Sequence, residues 1–300
     1  MKILFVGGGR RISLAKRFIN QGAKIFAYEL DCNSPIASVA DIIPGYKWSD
    51  LNIEDHLINI ILKESFDVIL PLQDAAIEIL SKIKNKNITE SIVVSSLSGS
   101  EICHNKKKFE NHFKTFNYNI EYPFPELEQD SILKPVFGFA SRGIKKINGI
   151  VNDPEYICQK FINGIEISVD SYYTRKNTLI GCVPRTRLNV LGGESVKSKT
   201  LERKSIYEKI YRFTKNIGKK IGLIGPTCSQ FILDGKNLYI IEINARFGGG
   251  AILSMEAGLL MEKYIIKEYC QKSKLEKINN WTENLVMTRF FNEHFYLEKI

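Results

Sequence analysis

The chain has 300 residues, enough for two or three lobes, and its shares of 44% hydrophobic and 25% charged residues are ordinary for a globular protein. The formal net charge of +9 at pH 7 would suit a nucleic-acid partner, but the lysines are scattered and their densest run is only Lys106–Lys108. We therefore expect no nucleic-acid binding, and a moderately basic surface that suits anionic small substrates.

Six cysteines are spread along the chain, and none of them forms a CxxC pair. Cys103 has a histidine beside it, but that pair alone does not make a zinc site. We expect buried thiols in a reducing compartment. The apolar run Ile3–Val6 is too short for a signal peptide, and no apolar stretch reaches 18 residues. The sequence therefore predicts a cytoplasmic protein without a membrane span.

The chain opens with a strand, a glycine turn, a helix and a second strand. Residues 2–6 are apolar, Gly7–Gly9 follow, apolar residues recur at helical spacing over 12–19, and a second strand pattern covers 24–30. This order is typical of the first unit of a doubly wound parallel sheet.

The glycine turn departs from the dinucleotide-binding fingerprint GxGxxG, because Ile12 stands where the third glycine is required. Asp31 does stand where an acid could bind a ribose, so a non-catalytic nucleotide- or NAD-binding module stays an alternative. Arg10 and Arg11 place two cations at the start of the helix, which suits an anionic substrate.

Further α/β units are predicted as a helix at 53–64, a strand at 66–70, a helix at 75–84 and a strand at 92–95. Ligands of such sheets lie at the C-terminal ends of the strands, where Gln73 and Asp74 stand. Asp74 is either the N-cap of its helix or a substrate ligand. We expect this lobe to end near Cys103.

Three lysines begin the next predicted helix, at about 106–116. Cations at a helix N-terminus oppose the helix dipole, so at least one of them should have a compensating anion. The segment Tyr122–Pro125 contains two prolines in four residues, which favours a rigid extended linker at a lobe boundary.

A short strand at 131–135 presents Lys134 and is followed by the small-residue loop Gly138–Gly143. The spacing of this loop is close to GxxxxGK[ST], but Ile144 stands where the phosphate-binding lysine is required. We predict a different phosphate-covering loop whose lysine lies upstream on the strand. A plain hairpin tip is the alternative.

Two strands at 156–162 and 167–173 come next, and Arg185 and Arg187 then share one face of a strand that leads to Gly192-Gly193. A glycine pair there would let the chain fold over a ligand. The helix at 204–221 carries Ile206, Ile210, Phe213 and Ile217 at helical spacing, which predicts a core-facing stripe.

The most informative stretch is a predicted hairpin with strands at 227–233 and 238–244, joined through Asp234-Gly235. Side chains alternate along a strand, so Glu242, Asn244 and Arg246 should point one way, and Tyr239, Ile241 and Ile243 the other. A carboxylate and an amide oxygen suit Mg²⁺ and an arginine fork suits phosphate. We interpret the stretch as a metal and phosphate site; an edge strand with a wet polar face is the alternative.

Gln230 on the first hairpin strand faces the same side as Glu242 only if the paired residue numbers add to an even sum. That requires an odd loop, such as a three-residue turn with Gly235 in the left-handed conformation. Beyond the hairpin, the sequence predicts a helix at 252–269 and a closing strand at 285–291.

Taken in order, these motifs resemble the ATP-grasp superfamily, and most closely its carbamoyl-phosphate-synthase-like carboxylate–amine ligases, over essentially the whole chain. Residues 132–135 with the loop Gly138–Gly143 resemble the lysine-bearing strand and the glycine loop of the family. Residues 159–166 resemble the hinge, and residues 184–187 with 192–195 resemble the segment that closes over an acyl-phosphate.

The resemblance implies the following site. The nucleotide would be bound by Lys106, Lys134, Ser141, Gly143, Gln159, Phe161, Ile162 and Glu166. The metal would be held by Gln230, Glu242 and Asn244, and the catalytic arginines would be Arg246, Arg187 and Arg185. Gln159 stands where a glutamate usually accepts from the adenine amino group, and Glu166 would bind ribose. Asn105 stands where an aspartate usually precedes the first cation, so Lys108 is an alternative to Lys106.

The resemblance also implies a fold and an activity. The fold would be a doubly wound parallel-sheet lobe of the Rossmann type at 1–103, followed by a two-lobed α+β ATP-grasp domain at 104–300, with a mobile lid lobe at about 123–163 and a C-terminal lobe at about 164–300. The activity would be ligation of a carboxylate to an amine with ATP and Mg²⁺, or Mn²⁺ in its place. A bicarbonate-using carboxylase is the alternative within the superfamily. The sequence is compatible with a homodimer.

Overall fold

The computed structural model of the protein describes residues 1–138, 143–191, 194–290 and 292–297. The chain divides into two compact units. The first unit contains Met1–Leu97, Leu260–Glu276 and Phe290–Ile300, and the second contains Ser98–Leu259 and Lys277–Arg289. The first unit therefore takes in two late segments that the sequence placed in the second domain, and the first division falls at Leu97 rather than near Cys103.

The first unit is built on a four-stranded parallel sheet and on three α-helices from the N-terminal part of the chain. The strands are β1 (Lys2–Val6), β2 (Lys24–Glu29), β3 (Asp41–Pro44) and β4 (Val68–Pro71). The helices are α1 (Ile12–Ile19), α2 (Ile53–Glu64) and α3 (Asp74–Asn85). The strand order is β3-β2-β1-β4 with parallel pairing throughout. The predicted doubly wound sheet is confirmed.

Helices cover both faces of this sheet at β1, whose residues from Ile3 to Val6 are all apolar and fully buried. Leu4 and Val6 face the core formed with α2 and α3, where they meet Leu57 and Leu80. Phe5 points the other way, with its ring 5.7 Å from that of Phe18 on α1. A strand with a continuous apolar run and helices on both sides is the expected pattern for a parallel sheet.

The predicted strand at 92–95 forms only an isolated bridge, between Ile69 and Ile92.

The predicted helix at 252–269 is interrupted, because Gly258 has a φ of +123°. It becomes α7 (Ala251–Glu256), α8 (Met261–Ile265) and a π-helical turn at Ile266–Cys270. α8 joins the first unit, where Glu262 is 2% exposed and pairs with Arg17 of α1 at 3.0 Å.

The second unit begins with two helices and a small antiparallel sheet. The helices are α4 (Leu97–His104) and α5 (Lys106–Thr115). The strands are β5 (Asp130–Pro135), β6 (Lys145–Asn148) and β7 (Tyr156–Lys160), in the order β6-β5-β7. Lys134 on β5 lies opposite Ile157, and Gln159 lies opposite Ile132, so Lys134 and Gln159 share one face of this sheet.

A six-stranded antiparallel sheet completes the second unit. Its strands are β8 (Ile165–Tyr173), β9 (Leu179–Leu191), β10 (Glu194–Thr200), β11 (Gly225–Asp234), β12 (Asn237–Asn244) and β13 (Val286–Thr288). Their order is β12-β11-β8-β9-β10-β13. The predicted strand at 285–291 is thus shorter, and β6 was missed by the sequence patterns.

One face of the large sheet packs on α6 (Ser205–Ile221), whose apolar stripe faces inward as predicted. Ile210, Phe213 and Ile217 are fully buried, and the ring of Phe213 lies 5.6 Å from that of Phe231 on β11. This face is therefore the core of the unit, and polar side chains of the sheet collect on the opposite face.

The hairpin of β11 and β12 reaches its register by a route that the sequence did not predict. Asp234 pairs with Asn237, so the loop has two residues, not three, although Gly235 is left-handed with a φ of +58°. A β-bulge between Gln230 and Phe231 changes the pairing, and Gln230 then lies opposite Glu242. The prediction of an odd loop is wrong. The bulge instead shifts the pairing of the two strands by one residue, which brings Gln230 and Glu242 to the same face.

The bulge also breaks the side-chain alternation that was expected along β12. Leu238 and Ile240 are buried before it and Ile243 after it, while Tyr239 and Ile241 are half-buried. Tyr239 and Ile243 therefore do not share a face.

None of the helices in the described part of the chain is long and apolar enough to cross a bilayer.

Candidate functional site

The polar face of the large sheet gathers side chains from four neighbouring strands. Register places Glu242 opposite Gln230, and Gln230 opposite Ser168 on β8. Asn244 lies opposite Cys228, and Cys228 opposite Asp170. On β9, Arg185 lies opposite Ser168. Because residues aligned across an antiparallel sheet project to the same side, all of these groups share one face.

Glu242, Asn244 and Arg246 form a hydrogen-bonded series at the end of β12. The amide nitrogen of Asn244 donates to Glu242 Oε1 at 3.1 Å, and Arg246 Nη2 donates to Asn244 Oδ1 at 3.2 Å. All three side chains are half-buried, as is Gln230. The structure thus brings together the three predicted metal ligands and the predicted phosphate-binding arginine.

The other two predicted catalytic arginines have different surroundings. Arg187 Nη1 donates to Glu166 Oε2 at 2.9 Å, and the Glu166 side chain is 54% exposed. Arg185 is 2% exposed and pairs through Nε with Asp170 Oδ2 at 2.7 Å. The Arg187 side chain is itself 13% exposed and so keeps some contact with solvent, whereas Arg185 lies beneath the surface of the site.

Lys134 lies among charges that come from separate parts of the second unit. Burial lowers the pKa of Lys134 to about 8; the nearby charge of Lys106 also lowers it, while Glu242 and Glu166 act in the opposite direction. The face of β5 that carries Lys134 is therefore close to the carboxylates of β12 and β8. An amine held in such surroundings is available to an anionic ligand.

The lysines of α5 separate into different roles. Lys108 Nζ lies 2.5 Å from Glu101 Oε2, which supplies the expected compensating anion. Lys107 Nζ donates to the carbonyl oxygens of Asp153 and Pro154. Lys106 Nζ donates to the carbonyl oxygen of Gly138 at 3.1 Å, at the start of the glycine loop. Its place near Lys134 and this loop favours Lys106 over Lys108 for the cation position that the family resemblance implies.

Gln159 combines deep burial with an unsatisfied acceptor. It is 1% exposed, its Nε2 donates to the hydroxyl of Tyr122 at 2.8 Å, and its Oε1 has no hydrogen-bond partner among the described residues. Burying an unpaired carbonyl oxygen costs about 1–3 kcal/mol, so this atom fits a ligand that brings a donor such as an amino group. Ile162 is 7% exposed and Phe161 is half-buried beside this strand end.

Two glycines near the site are required by geometry. Gly143 has a φ of +73°, and a Cβ there would lie 2.9 Å from the Pro135 ring. A Cβ on Gly164, in the hinge, would lie 2.3 Å from the carbonyl oxygen of Leu233. Ser141 and the pair Gly192-Gly193 lie outside the described residues, so their predicted roles remain sequence-based.

In the first unit, the glycine turn after β1 is occupied by an acid of the chain itself. Glu29 Oε1 accepts from the backbone N–H of Gly9 at 2.7 Å, and Glu29 is 9% exposed. Burial raises its pKa, and the N–H groups of Gly9 and Gly8 oppose that shift. Asp31 accepts instead from the N–H of Asn33 in a local turn. A carboxylate within the turn opposes a phosphate there, which weakens the dinucleotide interpretation.

Sequence reasoning missed Asp170, Tyr122 and Glu29. Asp170 could have been found by parity, because it follows Glu166 and Ser168 at every second position of β8. No nearby sequence pattern indicated a role for Tyr122, because its hydrogen-bond partner Gln159 lies 37 residues away in the chain. Glu29 was passed over because Asp31 better matched the spacing of a known fingerprint.

The donor set has a consistent chemistry. The carboxylate and amide oxygens of Glu242, Asn244 and Gln230 are hard ligands that suit Mg²⁺ or Mn²⁺. Lys134, Lys106 and Arg246 are cations that suit a polyphosphate. A group that brings negative oxygens and a divalent cation would satisfy both sets at once.

Comparison with known protein families agrees with this chemistry. Residues 102–250 match an ATP-grasp domain family, and residues 3–95 match the family described as a PylC-like N-terminal domain. The two matches fall within the second and the first unit, respectively.

The curated relatives with similar sequences are much longer than this chain. The carbamoyl phosphate synthase large chain of Clostridium acetobutylicum is 23% identical over 245 residues, which are 71% of this chain and 23% of that protein. The chain thus spans about a quarter of the length of this relative.

Solved structures share the fold at low sequence identity. The biotin carboxylase domain of the 2-oxoglutarate carboxylase of Hydrogenobacter thermophilus, a dimer with MgADP, ADP and bicarbonate, has a TM-score of 0.75 at 15% identity, covering 95% of this chain and 73% of that one. The N5-carboxyaminoimidazole synthetase of Staphylococcus aureus with ADP has a TM-score of 0.70 at 18% identity, covering 92% and 78%.

Proposed function

Because this chain belongs to the ATP-grasp superfamily, we propose that it is an ATP- and Mg²⁺-dependent ligase that joins a carboxylate to an amine through an acyl-phosphate, releasing ADP and phosphate. The observation that carries the proposal is the series Glu242–Asn244–Arg246, held in line on the same sheet face as Gln230 and close to Lys134.

The residues fit the cofactors that the proposal requires. Glu242, Asn244 and Gln230 would hold one or two Mg²⁺ ions, and Mn²⁺ would suit the same oxygens. The bound metal would neutralise charge on the phosphate oxygens. Lys134 and Lys106 would bind the phosphates, with the loop of Ser141 and Gly143 covering them.

The nucleoside end would lie along the hinge. The free Oε1 of Gln159 would accept from the adenine amino group, and the apolar side chains of Phe161 and Ile162 would lie beside the base. Glu166 would bind the ribose hydroxyls while staying paired with Arg187. When a ligand excludes water from the pocket, its own hydrogen-bond donors satisfy carboxylate and amide acceptors of this kind.

The proposed chemistry needs positioning and charge more than covalent help from the protein. A carboxylate is a poor electrophile at neutral pH, and phosphorylation gives it a leaving group that an amine can displace. Arg246 would contact the transferring phosphoryl group, and Arg187 the acyl-phosphate. Arg185, which lies buried against Asp170, would act from beneath them. Exclusion of water would protect the acyl-phosphate from hydrolysis.

An ADP-release screen over amino acids, sugar acids and candidate amines tests the proposal. We expect Mg²⁺-dependent ADP release with at least one pair of substrates. Glu242→Gln should lower turnover by about 10²–10³-fold without changing the melting temperature, because it removes one charge at the phosphoryl group. Glu208→Gln, at an exposed position of α6, is the matched control and should stay at wild-type turnover.

Two outcomes would contradict this assignment. Near-full turnover in Glu242→Gln would remove Glu242 from the site. Release of ADP with bicarbonate, and with none of the other acids, would assign the chain to a carboxylase of the same superfamily instead.

The remaining part of the proposal concerns assembly and location. We propose a homodimer in the cytoplasm, acting on small molecules and not on nucleic acid or membranes. The six cysteines all lie in described segments as free thiols, which suits a reducing compartment. A single monomeric peak by light scattering at micromolar concentration would rule out the dimer.

A further inference from the structure

A buried ion pair lies under the loop that follows Arg246. Asp170 Oδ2 accepts from Arg185 Nε at 2.7 Å and from the hydroxyl of Ser254 on α7 at 2.6 Å. The side chains of Arg185 and Asp170 are 3% and 0% exposed. Arg185 Nη2 also reaches Cys228 Sγ at 3.8 Å. The pair thus joins β8, β9, β11 and α7.

Stability alone does not account for this arrangement. Taking two charges out of water costs several kcal/mol per ion, and replacing a buried pair by apolar residues of similar volume is often neutral or stabilising. A buried pair that is nonetheless present can contribute conformational specificity, by fixing the position of the elements that it joins.

The element that the pair fixes most closely is the glycine loop Gly248–Gly250. A Cβ on Gly248 would lie 2.6 Å from Asp170 Oδ1, and a Cβ on Gly250 would lie 2.6 Å from Arg185 Nη1. The backbone therefore rests directly on both members of the pair. Ser254, one turn later, ties the helix after the loop to the same carboxylate.

The loop in turn sets the place of Arg246. Only Phe247, which is 1% exposed, separates Arg246 from Gly248. Arg246 donates its backbone N–H to the carbonyl oxygen of Asn244 at 2.8 Å and Nη1 to that of Phe247 at 3.3 Å. A shift of the glycine loop would therefore be passed to the guanidinium group through a tight turn.

We propose that Asp170, Arg185 and Ser254 are positioning residues, which hold the loop Gly248–Gly250 so that Arg246 stays aligned with Glu242 and Asn244 for the γ-phosphoryl group. This inference rests on the proposed function, because it assumes that Arg246 contacts that group. The inference gives Arg185 a different role from Arg246 and Arg187, because Arg185 would act without touching the substrate.

The test measures how well the protein distinguishes a triphosphate from a diphosphate. Dissociation constants for magnesium adenylyl imidodiphosphate, an unhydrolysable ATP analogue, and for MgADP are measured by calorimetry. Arg246→Ala should weaken the analogue about tenfold and leave MgADP within about twofold, because one charge-assisted contact to the terminal phosphate is lost. The double variant Asp170→Leu/Arg185→Met should reproduce this change in the ratio while keeping a cooperative melting transition.

Ser254→Ala provides a second variant that removes one hydrogen bond and no charge. It should reduce the preference for the analogue about threefold. The control is Tyr173→Phe, which removes the buried hydrogen bond from the Tyr173 hydroxyl to the carbonyl oxygen of Thr214 on the other face of β8. The control should lower the melting temperature and leave the ratio unchanged, so a loss of stability alone cannot produce the expected result.

The outcomes distinguish a failure of the proposed function from a failure of the positioning role. If the wild-type protein binds neither nucleotide, the proposed function fails. If Arg246→Ala changes the ratio but the double variant and Ser254→Ala do not, the ion pair is structural and the positioning role is overturned. If Arg246→Ala leaves the ratio unchanged, Arg246 does not contact the terminal phosphate and the inference falls with it.

Discussion

At the scale of single residues, Lys134 leads to a prediction that links stability to the proposed binding of a nucleotide. Its amine is held where burial and Lys106 both disfavour the charge, which lowers its pKa to about 8. A cation in such a place is poorly solvated in the free protein. A polyphosphate would restore the missing interactions, so the same burial that destabilises the free state favours the bound one.

Replacing Lys134 with methionine should therefore have opposite effects on stability and binding. The variant keeps the apolar stem and removes the charge, so we expect an unchanged or raised melting temperature without nucleotide. Affinity for MgATP should fall about 10–100-fold, the range for a charge-assisted hydrogen bond. Calorimetry and thermal unfolding measure the two effects.

Lys160→Met is the matched control for that prediction. Lys160 lies on β7, next to β5, but its amine pairs with Glu126 at 2.8 Å instead of facing Glu242. Its loss should leave MgATP affinity within about twofold. Equal affinities of wild-type protein and Lys134→Met would remove Lys134 from the nucleotide site.

At the scale of elements, the β11–β12 hairpin shows where sequence patterns stop. Asp234-Gly235 correctly marks the turn, and the acid, amide and guanidinium of β12 do lie together. The bulge beside Phe231 could not be predicted from the sequence, because it is a property of how β11 and β12 pair. Side-chain parity was thus readable over the short run from Glu242 to Arg246, but neither along the whole of β12 nor between strands.

Helix α5 supplies a prediction about pH. His112 is 8% exposed, and its Nε2 lies 2.6 Å from the hydroxyl of Tyr118. Burial lowers the pKa of His112 below 6.5, and the positive charge of Lys220 adds to this. The unfolded chain then binds this proton more readily than the folded protein, so the free energy of unfolding falls as pH drops below about 6.5.

The variant His112→Gln removes this titration and keeps a polar group near Tyr118. Urea unfolding between pH 7.5 and 5.5 should show a smaller loss of stability in the variant, by up to about 1.4 kcal/mol per pH unit. The difference between variant and wild-type protein cancels the titration of the carboxylates. Parallel pH curves for the two proteins would show that His112 does not contribute.

At the scale of the whole molecule, the two units carry different kinds of site. The glycine turn of the first unit is filled by Glu29, whereas the second unit presents the carboxylates and cations of the candidate site. Nucleotide binding should therefore belong to the second unit and depend on a divalent cation. This separates a ligase from a module organised on the glycine turn.

Thermal unfolding with different nucleotides tests that distinction. MgATP at about 100 times its dissociation constant should stabilise the protein by about 2.7 kcal/mol, which is a rise of about 5 °C in melting temperature. ATP with a chelator should give a much smaller rise, and NADH none. A rise with NADH that needs no Mg²⁺ would favour the dinucleotide-binding alternative.

The amino-acid sequence by itself determined the order of the main elements, the parallel sheet of the first unit, the core stripe of α6 and the membership in the ATP-grasp superfamily. These features depend on local apolar periodicity and on glycine, proline and charge at fixed spacings, which one chain segment displays alone. Tertiary structure decided the rest: the bulge that aligns Gln230 with Glu242, the burial of Arg185 on Asp170, the unpaired oxygen of Gln159 and the return of α8 to the first unit. Each of these depends on contacts between residues far apart in the chain. Local sequence patterns do not identify which distant residue will pair with a buried charge or amide.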